Sequence, residues 1–141
     1  MQCYQRSGFP IVVFLACIKS SMMRVLKSFL FALSGLKDCF LHEKNFQIQF
    51  VIALFVMAAG IFFSLSSIEW MILLICFSVV LSFEIINSAI EKLCDLVCPT
   101  FNLTIKKVKD MSASAVLFSA IISFIIGCII FLPKIKMLFF K

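Results

Sequence analysis

Phe83-Glu84-Ile85-Ile86-Asn87-Ser88-Ala89-Ile90-Glu91-Lys92-Leu93-Cys94-Asp95 sets three carboxylates and an amide into an otherwise apolar run. At about 100° per residue, Asn87 falls roughly 60° from Glu84, with Glu91 about 20° to one side of it and Asp95 about 20° to the other. One helical face is therefore a polar line. The opposite face is Ile85, Ile86, Ala89, Leu93 and Leu96, as lipid or a packed helix requires. Immediately upstream, Trp70 to Phe83 is free of charge but spans only 14 residues. That is too short for a bilayer crossing of about 20 residues unless the helix continues through Glu84 to about Leu93. Carboxylates thus stand at or near membrane depth.

The rest of the chain agrees that the solvent is a bilayer. Of 141 residues, 63% are hydrophobic and 14% charged, with a mean hydropathy of +1.16 and 18 Phe. An ordinary soluble domain is about 45–50% apolar and about 25% charged, so this composition excludes a water-soluble globule, a disordered chain and a disulfide-stapled module. The glycines, Gly8, Gly35, Gly60 and Gly127, are too scattered for a phosphate-cradling loop of the P-loop, dinucleotide-fold or protein-kinase kind. Residues 45–68 and 111–133 contain no Asp, Glu, Lys or Arg and read as two further spans. Pro133 is expected to close the last one.

Before the first span, Arg24, Lys27, Lys37, Asp38, Glu43 and Lys44 alternate with Val25, Leu26, Phe29, Leu30, Leu33, Leu36, Phe40 and Leu41. Apolar residues at three- and four-residue intervals predict an amphipathic helix lying in the headgroup plane, the alternative being a soluble helix on a partner. The expected organisation is a surface helix over 22–42, spans over 46–66, 69–93 and 111–132, and a cytoplasmic loop over 94–109. A short tail follows at 137–141. Residues 1–21 read either as a stretch upstream of a second start at Met22 and Met23 or as an added interfacial segment.

Arg24, Lys27, Lys37 and Lys44 lie before the first span, and Lys92, Lys106, Lys107 and Lys109 follow the second, while the turn between has no basic residue. Both basic regions are expected on the cytoplasmic side. Lys134, Lys136 and Lys141 then fall outside, against the rule. A net charge of +6 suits anionic headgroups, and nothing interleaves basic and aromatic residues as nucleic-acid binding would require. The seven Cys are spread along apolar stretches, and Cys94 and Cys98 have no second pair or nearby His to complete a zinc site, so they read as small buried hydrophobes.

Three carboxylates in one line repel one another and lose hydration, and they are tolerable only if protons, basic groups or a metal ion neutralise them. Mg²⁺ commonly takes one or two protein carboxylates and fills its remaining positions with waters and substrate phosphates. Lys106, Lys107 and Lys109 follow and are placed to hold phosphates. Two classes stay open on chemistry alone. One is a membrane enzyme in which Glu84 is a general base beside a metal site. The other is a non-enzymatic carrier or proton or cation relay; a stripe serving only oligomer packing would be met by Asn and Ser.

Glu84-Ile85-Ile86-Asn87-Ser88-Ala89-Ile90-Glu91 followed by Asp95 resembles the signature E-x-x-N-[ST]-A-I-E-x-x-x-D of the small prokaryotic diacylglycerol and undecaprenol kinases. Lys109-Asp110-Met111 with Ala113, Ala115, Val116 and Leu117 is similar to that family's K-D-[MV] stretch. Glu43-Lys44-Asn45-Phe46 resembles its acidic turn. The likeness runs from about Arg24 to Pro133. It implies an all-α membrane protein with an interfacial helix, three transmembrane helices and a homotrimer with sites between subunits. The implied activity is transfer of the ATP γ-phosphate to a lipid hydroxyl, undecaprenol or diacylglycerol, at the cytoplasmic face of the bacterial inner membrane. By residue match, Glu84 would be the base and Asn87 would orient the substrate region. Glu43 and Glu91 would hold Mg²⁺ and, with Arg24, Lys109 and Asp110, contact nucleotide, and Asp95 would support them.

The sequence departs from the family at Gln47, where Arg is common, and at Thr100-Phe101-Asn102, which lacks the family's acid and His. These departures bear on nucleotide affinity and selectivity rather than on the reaction core. His42, beside Glu43, either shifts that carboxylate's charge or is simply solvated. Ile68-Glu69-Trp70 and the ending Phe131-Leu132-Pro133 look more like undecaprenol kinases, so undecaprenol is the expected acceptor.

Overall fold

A computed structural model describes the backbone of residues 9–139 and the side chains of 22–138. Four helices make it up: α1 (Phe9–His42), α2 (Lys44–Phe62), α3 (Ser67–Val97) and α4 (Leu103–Phe139). The described residues contain no strand, and α2, α3 and most of α4 are each long and apolar enough to cross a membrane. The chain is an all-α membrane protein.

Two compact units divide at Asp38. In the first, α1 presents Leu26, Phe29, Leu30 and Leu33 and the cations Arg24, Lys27 and Lys37, all exposed, as the amphipathic pattern requires. The helix begins upstream of the expected residue 22, since the backbone is already helical from Phe9. Residues 1–8 lie outside the described residues, as do the side chains of 9–21, and both readings of residues 1–21 fall there.

The second unit opens with the last turn of α1. Glu43, extended at φ −101° and ψ 103°, is the single residue separating α1 from α2. Rings of Phe40, Phe46 and Phe50 close this corner, with centroids of Phe40 and Phe50 4.8 Å apart and edge to face. Gln47, the departure noted in the sequence, donates Nε2 to the carbonyl of Phe40 at 2.9 Å and so ties the corner across the break.

At the opposite end of α2 the chain turns at Ser64, which takes a positive φ of 51°. Ser66 then starts α3 with a reciprocal cap. Its hydroxyl accepts from the Glu69 N–H at 3.4 Å, and the Glu69 carboxylate accepts from the Ser66 N–H at 2.7 Å. Such a box supplies acceptors to two of the donors that a helix start leaves unpaired. Beside it sits the apolar core of Leu65, Leu73 and Ile130, with Val56, Trp70, Phe77, Ile126 and Phe131 packed around. Gly60 is required there. A Cβ at that position would stand 2.9 Å from the Trp70 ring and 3.0 Å from Leu65.

α3 packs chiefly on α4, and α2 packs on α3. With 31 and 37 residues, α3 and α4 are about 46 and 55 Å long. Both exceed the roughly 30 Å hydrocarbon core, so their ends reach the polar interface. The helices therefore run past the limits that charge-free intervals suggest. The expected loop over 94–109 contracts to 98–102, because interfacial residues can be charged and helical at once. Asn102 begins α4, accepting at Oδ1 from the Thr104 and Ile105 N–H groups. Pro133 does not end the helix: α4 continues through it to Phe139. Proline removes one backbone donor, but the turn is held from outside, by Phe131 against Phe63 and by Lys134 on Glu69 at 3.1 Å.

Candidate functional site

The polar line read from the sequence exists, and it is graded by depth. Glu84, Asn87 and Ser88 are buried, Glu91 is half-buried and Asp95 is exposed at the end of α3. Ile86, Leu93 and Leu96 on the other face are exposed apolar groups, as a lipid-facing surface would have. A buried carboxylate loses hydration and needs partners. Glu84, only 3% exposed, receives a hydrogen bond from Gln49 Nε2 on α2, 2.9 Å from its Oε2.

One turn on, Asn87 works in two directions. Its Nδ2 donates to Glu91 Oε1 at 2.8 Å, and its Oδ1 accepts from the Ser112 hydroxyl of α4 at 2.6 Å. An amide suits both roles, since Asp would set an acceptor against the Glu91 carboxylate and Leu would pair with neither neighbour. The Ser112 hydroxyl also lies 2.9 Å from the backbone carbonyl of Lys109. The Lys109 ammonium in turn donates to Asp95. Glu91, Asn87, Ser112, Lys109 and Asp95 are thereby linked in one network across α3 and α4.

Glu43 joins the same end of the unit. Lys92 Nζ lies 2.8 Å from Glu43 Oε1. The described residues hold no group of three or more His, Cys, Asp or Glu able to bind a metal ion alone. Two carboxylates such as Glu43 and Glu91 would hold a divalent cation only with phosphate oxygens and water completing its coordination. Asp110 is exposed on α4 beside Lys109, and Arg24 belongs to the separate first unit.

Sequence reasoning passed over Gln49, Ser112 and the Lys92–Glu43 pair. Gln49 did carry a signal, as a strongly polar side chain inside the charge-free interval 45–68. Its Oε1 is buried with no hydrogen-bond partner. Gln49 also borders a cavity of about 460 Å³ between α2, α3 and α4, whose walls include Ile52, Leu73, Phe77, Ala120 and Phe124. An apolar chamber thus begins at the residue that holds Glu84.

Comparison with known proteins gives the family. Residues 30–131 match the family model described as prokaryotic diacylglycerol kinase. The undecaprenol kinase of Bacillus subtilis is 38% identical over 117 residues, covering 83% of this chain and 95% of that protein. A diacylglycerol kinase of Helicobacter pylori is 36% identical over 100 residues, 70% of this chain and 77% of that protein. The diacylglycerol kinase of Escherichia coli is 27% identical over 107 residues, 76% and 88% of the two chains. With α2, α3, most of α4 and the carboxylate line inside the matched region, the chain belongs to the prokaryotic diacylglycerol kinase family of membrane lipid kinases.

Proposed function

We propose that this protein transfers the γ-phosphoryl group of ATP to the hydroxyl of a membrane lipid, with undecaprenol preferred to diacylglycerol. The observation that carries the reading is the buried Glu84 carboxylate, held by Gln49 at the head of an apolar chamber and followed along α3 by Asn87 and Glu91. The lipid hydroxyl donates its hydrogen bond to Glu84, which accepts the proton as the hydroxyl oxygen bonds to phosphorus and the bond to the ADP oxygen breaks. Gln49, on the other carboxylate oxygen, holds the base in place, and the chamber walls suit the hydrocarbon chain. Asn87 orients this region.

Glu43 and Glu91 would hold Mg²⁺, which when bound neutralises charge on the phosphates. Lys109, Asp110 and Arg24 contact the nucleotide in this reading, and Asp95 supports Lys109. Phosphoryl transfer depends mainly on in-line positioning and charge neutralisation, so no glycine loop is needed. The basic ends of α1, α3 and α4 favour a site on the cytoplasmic side of the bacterial inner membrane. A homotrimer with sites between subunits is the assembly that the family resemblance supports. The domain proposed for this activity is 22–136. Undecaprenol is favoured by the Ile68-Glu69-Trp70 and Phe131-Leu132-Pro133 likeness and by the 38% identity to an undecaprenol kinase.

The test is purified full-length protein with γ-labelled ATP, Mg²⁺ and, separately, undecaprenol, diacylglycerol and ceramide. Label is expected in undecaprenol with a higher kcat/KM than in diacylglycerol. A higher kcat/KM on diacylglycerol would overturn the substrate choice, and no labelled lipid in any arm would overturn the reaction.

A further inference from the structure

The ion pair between Lys92 Nζ and Glu43 Oε1, 2.8 Å long, ties the last turns of α3 to the single residue that separates α1 from α2. Lys92 follows Glu91 directly, so the pair stands where the two metal-holding carboxylates of the proposed function would meet. Glu91 is fixed from behind by Asn87 Nδ2 at 2.8 Å. On Glu43 the near oxygen is held instead by an ammonium on a flexible stem.

We infer that Lys92 competes with the divalent cation for Glu43, so that metal binding requires the Lys92 side chain to swing off the Glu43 carboxylate. The inference rests on the reading of Glu43 and Glu91 as the metal-holding pair. An ammonium on Oε1 repels a divalent cation brought to the same carboxylate, so the two cations compete for Glu43. Lysine suits such an exchange. It is a compact point charge with freely rotating donors, and it lacks the planar fork that would lock it to the carboxylate. The side chains of Lys92 and Glu43 are 58% and 23% exposed, which leaves Lys92 room to move into solvent. A pair this open favours its closed form by at most about fivefold. Metal affinity is lowered by the fraction of protein in which Glu43 is so engaged, so the competition sets metal affinity without abolishing it.

The experiment is a Mn²⁺ titration of full-length protein in detergent micelles, read by the electron paramagnetic resonance signal of free Mn²⁺, with a non-hydrolysable ATP analogue present throughout. Lys92→Met keeps the stem and removes the charge, and it should bind Mn²⁺ about twofold to fivefold more tightly than the native protein. Lys92→Arg, whose fork holds the Glu43 carboxylate more firmly, should bind Mn²⁺ more weakly than the native protein. Glu43→Gln should bind more weakly, and adding Lys92→Met to it should then bring no gain. Equal affinity of Lys92→Met and native protein, with Glu43→Gln still weakened, would overturn the competition while leaving the metal-holding reading intact. A gain that persists in the double variant would also overturn it, because the effect would then be general charge and not Glu43. Unchanged affinity in Glu43→Gln would overturn the metal-holding reading and the inference together.

Discussion

Gln49 donates Nε2 to Glu84 Oε2 at 2.9 Å, joining the first transmembrane helix to the most buried carboxylate of the second. A hydrogen bond to an ionised partner contributes about 1.5–3 kcal/mol. Gln49→Leu should therefore free the Glu84 side chain to rotate and reduce kcat by about tenfold or more, with little change in KM for ATP. Steady-state kinetics with varied ATP checks this. An unchanged kcat would show that Glu84 does not depend on Gln49.

Asn87 bridges Glu91 and Ser112. Asn87→Leu removes a buried amide, leaving Glu91 without it and Ser112 with the Lys109 carbonyl alone, a loss of about 1–3 kcal/mol that should lower the thermal midpoint in detergent as well as activity. Ser112→Ala deletes a single partner and should cost less in both measurements.

The opposite end of the protein should behave differently. Lys134→Ala breaks the 3.1 Å pair with Glu69, and Ser66→Ala removes the cap of α3. The first is expected to cost up to about 1 kcal/mol and the second about 1 kcal/mol of stability, with kcat/KM near native in each. Thermal denaturation alongside the lipid kinase assay separates the two readouts.

Gly60 faces Trp70 at a distance that forbids a side chain. Gly60→Val should shift the ring, loosen the Leu65–Leu73–Ile130 core and destabilise the protein by about 1–3 kcal/mol. Gly127, where an added Cβ meets nothing within 4 Å, serves as the control, and Gly127→Ala should be close to neutral.

Much of the site was legible in sequence because helical periodicity is rigid: Glu84, Asn87, Glu91 and Asp95 fall on one face whatever surrounds them. Periodicity says nothing about which neighbour meets that face. Gln49 and Ser112 come from other helices, 35 and 25 residues distant from their partners, and only packing brings them there. The spans were found by absence of charge, which locates the hydrocarbon core but not the helix ends. α3 and α4 therefore extend beyond the expected limits into the interface, where charges are solvated. Lys134 shows the same limit from another side. Counted as a bare cation it contradicts the expected orientation, whereas in the fold it is offset by Glu69. Pro133 misled because a proline's lost donor was weighed without the contacts that hold the flanking turn.

The central claim is that Glu84 takes the proton of the lipid hydroxyl. Glu84→Gln preserves shape and the capacity to pair with Gln49 while removing the basic oxygen, so its effect on label transfer from ATP to undecaprenol in matched micelles is the most direct measure. The account predicts at least a thousandfold loss of kcat, on the order of what positioned acid–base catalysis supplies, in protein that retains the helical content and thermal midpoint of the native chain. Transfer within tenfold of native by that folded variant would contradict it.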